Sequence, residues 1–290
     1  MKTGKKEKLL RRVLLIGMLC AVSARYKATQ ELKEWPQDSD IRQETLTEPQ
    51  QTETTEEPFI FEYRGREFLV EPVQDYELSG LVVSHNDIHS WFDMYHNSRS
   101  VDFKDLCVVW GANVSTGIYK EADYSSAPWT CFYHPKSFEA NERFFHSKLS
   151  NNHILSDSSS VRDAVMGAGV GDQIHLRGKL INYAPKEHPT NYRKSSLVRT
   201  DTGNGACEVL FVDSFAITKA HKPFWRGVDR VSRNIFWLFC ILLPITRLLS
   251  GVLAHQQQKK ALELAIARRK RRKEALAKMG SRYEEIPTGD

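Results

Sequence analysis

An apolar stretch of twenty residues, Ile235 to Ala254, constrains this chain more than any other feature. As a helix it is about 30 Å long, which matches the hydrocarbon core of a bilayer. Phe236 and Trp237 stand at its start, where aromatic rings prefer the headgroup level. Pro244 interrupts the helical hydrogen bonding, and Arg247 is off-centre and can reach the interface. The pattern predicts a transmembrane helix over residues 235–254, with an interfacial helix as the alternative.

Charge is distributed along the chain in opposed blocks. Lys and Arg outnumber acids eight to one in residues 1–30 and nine to two in residues 255–279. Acids outnumber bases thirteen to four in residues 31–76 and sixteen to thirteen in residues 77–218. The formal net charge of +5 is therefore a sum of opposites, which excludes a uniformly basic nucleic-acid-binding domain.

The basic residues on the two sides of the apolar stretch predict its orientation. Ten Lys and Arg lie between residues 259 and 282, against five between residues 219 and 233. The larger excess is expected to remain in the cytoplasm. We therefore expect residues 255–290 to be a basic cytoplasmic tail in a bacterial plasma (inner) membrane, with the folded part of the chain extracytoplasmic.

The tail is rich in good helix formers and carries a continuous basic run. Cationic side chains beside a membrane span attract anionic lipid of the inner leaflet, at about 1 kcal/mol each. RNA contact, or a stop-transfer signal without a ligand, are the alternatives. The residues predicted to face lipid are Arg268, Arg269, Lys270, Arg271, Arg272 and Lys273.

The start of the chain resembles an export signal, with a cationic segment followed by the apolar residues 13–24. Twelve residues make a helix of about 18 Å, shorter than the membrane core. Small residues at 22–24 suit a signal peptidase. Residues 1–24 are accordingly predicted to be a signal peptide or an uncleaved N-terminal anchor. Either form places residues 25–234 outside the cytoplasm.

Residues 25–58 are predicted to be an acidic disordered linker, because Glu, Thr, Gln and Pro dominate and aliphatic residues are few. From residue 59 to residue 218 the sequence changes to short runs of residues that favour β-strands. A hairpin is expected at Arg64-Gly65, and a later strand puts Leu106, Val108 and Trp110 on one face. The other expected strands have the sequences YELSGLVVSHND, WTCFYH, DQIHLRGKLIN and ACEVLFVDSFAIT.

A helix is expected between the strands WTCFYH and DQIHLRGKLIN, capped by Ser158–Ser160. In front of it, Ser150–His153 is expected to form a loop whose Asn and His side chains bind a ligand or cap the chain. The order strand, strand, strand, helix, strand, strand is that of an OB-fold.

Gly171-Asp172, the alternation that follows and Gly178 resemble the fourth strand of exported bacterial OB-fold domains, over residues 76–218 at most. The resemblance implies a mainly β protein, with a small OB-like Greek-key barrel over residues 59–218 and one inter-strand helix. Another small barrel or a sandwich is the alternative.

The densest histidine cluster contains the candidate metal ligands His85, Asp87, His89, Asp93 and His96. In an extended segment His85, Asp87 and His89 point to one side, and in a helical one His89, Asp93 and His96 share a face. Either arrangement could present imidazole and carboxylate to zinc or another divalent cation. The alternative is structural, because neighbouring aromatic residues suit packing over a barrel mouth. No other cofactor is expected.

Three cysteines, Cys107, Cys131 and Cys207, fall on expected strands of this domain. Because the third and fifth strands of an OB-like barrel are neighbours, Cys131 and Cys207 are the first candidates for a disulfide, against three buried thiols. A nucleophilic cysteine beside a histidine is a further hypothesis, and the spacing selects none.

Together these features predict a membrane-anchored extracytoplasmic binding or assembly module, with lipid and an envelope protein as partners. The enzyme alternative is a metal-dependent hydrolase using the histidine cluster. A single-stranded nucleic-acid-binding module is the third hypothesis, which the acidic balance of the domain disfavours.

Overall fold

The computed structural model describes residues 2–88, 100–201, 203 and 205–284. The chain forms two compact units, one of Met1–Lys33 with Phe224–Asp290 and the other of Glu34–Pro223. The α-helices are α1 (Lys2–Lys33), α2 (Ala112–Ser115), α3 (Phe138–Arg143), α4 (Ser159–Gly167) and α5 (Pro223–Glu284). Short 3-10 helices cover Asp38–Asp40, Gln43–Leu46, Ile118–Glu121 and His146–Lys148. The strands are β1 (Gln50–Glu53), β2 (Phe59–Tyr63), β3 (Arg66–Asp87), β4 (Lys104–Val109), β5 (Ala122–Ala127), β6 (Thr130–Pro135), β7 (Leu149–Leu155), β8 (Gln173–Pro185) and β9 (Glu208–Lys219).

The first unit is a pair of antiparallel helices, α1 and α5. Arg25 Nε lies 3.4 Å from Asp229 Oδ1. Further along α1 towards its N-terminus, Arg11 Nη2 donates to Ser250 Oγ at 3.2 Å. Residues nearer the start of α1 therefore contact residues nearer the end of α5, so the two helices are antiparallel.

Helix α5 contains the apolar stretch and, of the helices that the structure describes, it is the one long and apolar enough to span a membrane. Pro244 lies inside this helix without ending it, and the basic tail continues the same helix to Glu284. Gly17 of α1 lies against the Phe239 ring, so closely that a Cβ there would stand 2.7 Å from Phe239 Cζ. The predicted long apolar helix near the C-terminus is confirmed.

The second unit is built around one large sheet. Strand β3 pairs antiparallel with both β4 and β8. From β4 the pairing continues to β7, from β7 in parallel to β9, and from β9 back to β8. Strands β1 and β2 also pair with β3, and β5 and β6 form a separate two-stranded sheet. The unit is a strand-rich mixed sheet in which β3 meets both ends of the pairing path.

The main core lies on one face of these strands. Leu106, Val108 and Trp110 are fully buried there, as their alternation predicts. Leu176 of β8 and Leu210 of β9 pack into the same cluster. Helix α4 covers this core with Val161 and Val165, and the Ser158 hydroxyl caps it by accepting from Val161 N. The predicted helix and its serine cap are confirmed.

The predicted hairpin turn is also confirmed. Arg64 and Gly65 connect β2 to β3, and both have positive φ, 51° and 73°. Two residues with positive φ are typical of the tight turns that match the twist of paired strands.

The third strand of the pairing path differs from the prediction. It is β7, which contains the residues 150–153 that were expected to form a loop. The expected strand at residues 129–134 instead belongs to β6, in the β5–β6 hairpin inserted between β4 and β7. Some polar side chains of β7 bond within the unit: Asn152 Nδ2 donates to Leu106 O at 3.0 Å and to Ser150 Oγ at 2.8 Å.

The acidic segment also differs from its composition-based prediction. After α1 ends at Lys33, the segment packs on the sheet and supplies β1. Thr45 is buried, and its hydroxyl donates to Gln173 Oε1 at 3.0 Å. Gln173 Nε2 donates in turn to Asp40 O at 2.8 Å. These hydrogen bonds compensate for the few apolar side chains.

We expect Gly178→Ala to destabilise the second unit by about 1–3 kcal/mol, because its Cβ would lie 2.2 Å from Phe211 O and 2.8 Å from Val212 Cα, which are backbone atoms of β9. Urea unfolding of the full chain in mild detergent measures the change. The matched control is Gly167→Ala at the end of α4, where the nearest atom is 3.9 Å from the added Cβ. Equal stability of the two variants would contradict the prediction.

Candidate functional site

A cleft of about 580 Å³ lies beside the N-terminal half of β7, within the second unit. Its walls come from the β5–β6 turn, from β7 and the residues before it, and from the segment that leads into β9. The lining residues are Pro128, Trp129, Thr130, Cys131, Tyr133, His146, Leu149, Ser150, Asn151, Arg193, Arg199, Thr200, Asp201, Gly203, Gly205, Ala206, Cys207 and Glu208.

A disulfide attaches the inserted hairpin to the sheet. It joins Cys107 of β4 to Cys131 of β6, and Cys207 is a free thiol. The predicted pairing of Cys131 with Cys207 is therefore wrong. Its premise placed Cys131 on the third strand beside the fifth, whereas Cys131 lies in the hairpin that packs over β4.

The turn of this hairpin has an unusual backbone. Pro128 and Trp129 connect β5 to β6, and Trp129 has a φ of 61°. A bulky residue in the left-handed region is strained, and its surroundings must hold it there. Trp129 N donates to Asp105 Oδ2 at 3.1 Å, and Trp129 O accepts from Cys207 Sγ at 3.4 Å. The strained turn thus connects a carboxylate to a thiol.

Asp105 and His153 form a buried pair at this place. They are register partners in β4 and β7, so their side chains share a face. His153 Nδ1 lies 2.6 Å from Asp105 Oδ1, with 2% and 0% of the two side chains exposed. On the other side of the ring, Arg193 Nη2 lies 3.1 Å from His153 Nε2.

The pKa of His153 reflects these neighbours. Burial lowers it, but hydrogen bonds and charge interactions with Asp105 and Cys207 outweigh burial and raise the pKa to about 10. Arg193 acts against a second ring proton, because a guanidinium only donates. The carboxylate has the shorter contact, and we assign a raised pKa on that ground. The Nδ1 proton is directed to Asp105 in either form of the ring.

Cys207 stands at the wall of the cleft, immediately before β9. Asn151 Nδ2 donates to Cys207 Sγ at 3.6 Å, and Cys207 lies close enough to the His153 ring to help raise its pKa. Asn151 is 6% exposed and lines the cleft, and its Oδ1 has no hydrogen-bond partner in the part of the chain that the structure describes. A buried amide with an unused acceptor is costly unless something binds to it.

Two further charged groups lie in the cleft wall. Arg199 Nη1 lies 3.7 Å from Glu208 Oε1, and its guanidinium stacks over Tyr76 and Trp110. Burial raises the pKa of Glu208 to about 7, although Arg199 lowers it. Around neutral pH, Glu208 is therefore partly protonated, so the cleft carries less negative charge than its sequence indicates.

The predicted metal ligands are only partly within the described residues. His85 Nδ1 lies 3.3 Å from Asp87 Oδ1, so these two share a side of β3 as expected. Lys104 Nζ lies 3.0 Å from the same oxygen. Burial raises the pKa of Asp87, but hydrogen bonds and charges from His85 and Lys104 lower it to about 2. His89, Asp93 and His96 lie outside the described residues.

A different set of three groups, Asp102, Asp105 and His153, has ligand atoms within 4.8 Å of one another. Three protein ligands would suit a catalytic zinc site. The short bond between His153 and Asp105 and the guanidinium of Arg193 beside the ring favour a hydrogen-bonded pair instead.

The site brings together the free thiol of Cys207, the imidazole of His153 and the buried carboxylate of Asp105. The amide of Asn151 and the guanidinium of Arg193 lie next to these groups. The sequence analysis offered a nucleophilic cysteine beside a histidine without selecting one, and it named the Asn and His side chains of residues 150–153 as ligand-binding candidates in an expected loop, but it did not select Asp105 or Arg193. In comparisons with known proteins, the chain matches no family model, no curated protein and no solved structure. Inference about function therefore depends on this geometry.

We expect His153 to remain protonated at pH 8 and Asp105→Asn to lower its pKa, as an NMR titration of histidine-labelled full chain in detergent would show. Because the pKa of His153 in the folded chain lies above the ordinary histidine value of 6.5, the stabilisation from this pair is complete below about pH 6.5 and is lost as pH rises through about 10.

The matched control is Asp123→Asn, an exposed carboxylate of β5. A His153 resonance that titrates near pH 6.5 in the unmodified chain, or that is unchanged in D105N, would contradict the assignment.

Proposed function

We propose that this protein is a membrane-anchored extracytoplasmic binding module whose cleft binds a small anionic ligand. The observation that carries the proposal is the guanidinium of Arg193 in the cleft wall. Among the residues that the structure describes, Arg193 contacts His153 but is within salt-bridge distance of no carboxylate. Arginine is well suited to bind carboxylate or phosphate through paired hydrogen bonds.

The fold of the binding unit is proposed to be an OB-like barrel. Support comes from the pairing path through β3, β4, β7, β9 and β8, which returns to β3. The parallel pair β7–β9 also agrees with that plan, as does the placement of α4 between β7 and β8, which are the third and fourth of these five strands in chain order. OB-folds bind ligands on their second and third strands and on the loop between the last two. In this chain the third strand and the loop before β9 line the cleft.

Membrane attachment is supported by α5 and its basic continuation. We propose that the residues after the span are cytoplasmic and that the run Arg268–Lys273 contacts anionic lipid. The contacts of Arg11, Gly17 and Arg25 with α5 favour an N-terminal anchor that is kept in the mature protein. An envelope protein remains a candidate partner for the extracytoplasmic unit.

Binding of succinate, a small dicarboxylate, tests the cleft. We expect the full chain in mild detergent to bind succinate, measured by titration calorimetry, and Arg193→Gln to weaken binding at least tenfold, because a hydrogen bond between charged groups contributes about 1.5–3 kcal/mol. The matched control is Arg162→Gln, whose guanidinium donates to Ser156 O and Asp157 O in another part of the unit. No binding of succinate, or equal binding of the uncharged diamide, would refute an anion-binding cleft.

Protease treatment of intact spheroplasts tests the topology. With tags at both termini, we expect the Glu34–Pro223 unit to be digested while the tag after Asp290 stays protected until detergent is added. Retention of the tag before Met1 in the mature protein supports the anchor, and its loss supports a cleaved signal peptide. Digestion of the C-terminal tag in intact spheroplasts would show the opposite orientation.

A further inference from the structure

We propose that Cys207 is the nucleophile of an acyl-transfer site in this cleft, with His153 as general base and Asp105 as the residue that positions it. The substrate class is a carboxylate-bearing ester, thioester or amide. The inference rests on the proposed function for its binding step, since Arg193 would hold the carboxylate of the substrate, and it adds a reaction to that step.

The first support is the way the sheet brings the three side chains together. Asp105 and His153 face each other from β4 and β7, and Cys207 stands one residue before the strand that pairs in parallel with β7. The Asp105 carboxylate is held at both oxygens, by His153 Nδ1 at 2.6 Å and by Trp129 N at 3.1 Å. A nucleophile, a base and a group that orients the base are the arrangement that activates a thiol.

The second support is the state of the thiol. Cys207 lines the cleft and is partly exposed, whereas the other two cysteines of this unit are joined in a disulfide. A structural explanation of a buried His–Asp pair does not require a free cysteine close enough to the ring to help raise its pKa. Here the Cys207 thiol can be reached from the cleft. The nitrogen that would accept its proton, His153 Nε2, faces Arg193, which is another residue of the cleft wall.

The third support is Asn151, which is independent of the triad. Its side chain is 6% exposed, lies against the sulfur with Nδ2 and has an unpartnered Oδ1 among the described residues. An amide donor beside a nucleophile is suited to stabilise the oxyanion that forms on an attacked carbonyl. The unused Oδ1 can accept from a donor group of the ligand.

The reaction begins when the substrate carboxylate pairs with Arg193 and draws its guanidinium away from His153 Nε2. In the deprotonated form of His153, whose share grows as pH rises towards its pKa of about 10, the ring takes the proton of Cys207, and the sulfur attacks the carbonyl carbon while the C=O electron pair moves to oxygen. Asn151 Nδ2 donates to this oxygen. When the C=O bond forms again, the bond to the leaving group breaks, and the alcohol, thiol or amine leaves with the proton from His153.

The acyl group is then a thioester on Cys207. Water, deprotonated by His153, attacks the thioester carbonyl, and the sulfur leaves and recovers the proton. The overall reaction is hydrolysis of the acyl compound, with water as the only co-reactant. An amine or alcohol in place of water would give acyl transfer with the same balance.

The test uses the full chain in mild detergent and the mono-4-nitrophenyl ester of succinic acid, which carries the carboxylate and a reporting leaving group. We expect a burst of nitrophenolate and, after rapid quenching, one succinyl group on the peptide that contains Cys207. Cys207→Ser should reduce the burst rate at least a hundredfold. Cys240→Ser, which changes a free thiol of α5, is the matched control and should leave it unchanged. The neutral ester 4-nitrophenyl butyrate should react at least tenfold more slowly.

The positioning role of Asp105 has its own readout. Asp105→Asn should reduce the burst rate about a hundredfold and change its pH profile, and Asp105→Glu should partly restore both. A near-UV circular dichroism spectrum like that of the unmodified chain establishes that the variants are folded. A profile identical to that of the unmodified chain would remove Asp105 from the mechanism.

The outcomes separate the two proposals. Absence of a succinyl adduct on Cys207, with succinate still bound in an Arg193-dependent manner, overturns the nucleophile and leaves the binding module. A succinyl adduct on a residue other than Cys207 also overturns the proposed nucleophile. An adduct on Cys207 whose rate is indifferent to Arg193→Gln keeps the nucleophile and overturns the anionic substrate class. Failure of both binding and acylation refutes the cleft as a functional site.

Discussion

The cleft depends on the register between β4 and β7. This register puts Asp105 opposite His153 and Cys107 opposite Asn151, all on the face of the two strands that points away from the main core. A shift of one residue would send these polar side chains into the core and bring the apolar set out. Apolar residues on the alternate positions, such as Leu106 and Val108, therefore hold the polar site in place.

A buried carboxylate and imidazole are stable only when they are fully paired, because an unpaired buried charge costs several kcal/mol. The inserted β5–β6 hairpin provides one further partner for the pair, the backbone N–H of Trp129. Its disulfide joins it to β4, and its strained turn donates to the second oxygen of Asp105. The hairpin thus has two effects: it stabilises the polar face of β4 and β7, and it builds one wall of the cleft.

Local features of this fold were predictable, whereas the site was not. The turn at Arg64-Gly65, the cap at Ser158 and the alternation around Val108 are encoded by neighbouring residues, and the structure contains each of them. Strand β7 was missed because its polar run Ser150–His153 has no apolar alternation until Ile154. The bond from Asn152 Nδ2 to Leu106 O joins it to a strand that is distant in sequence. The cysteine pairing failed for the same reason, since it depended on which strand came third.

The disulfide bears on location independently of charge. Disulfides persist mainly in oxidising compartments, so the bond between Cys107 and Cys131 supports the extracytoplasmic position proposed from the basic tail. Three cysteines in one oxidised unit leave one thiol without an internal partner. Here Cys131 is already bonded to Cys107. Strand β7 lies between Cys107 and Cys207, and the side chain of its Asn151 contacts the Cys207 sulfur. If the unit is extracytoplasmic, as proposed, a thiol that stays free there and is open to a cleft agrees with the nucleophile proposed for this site.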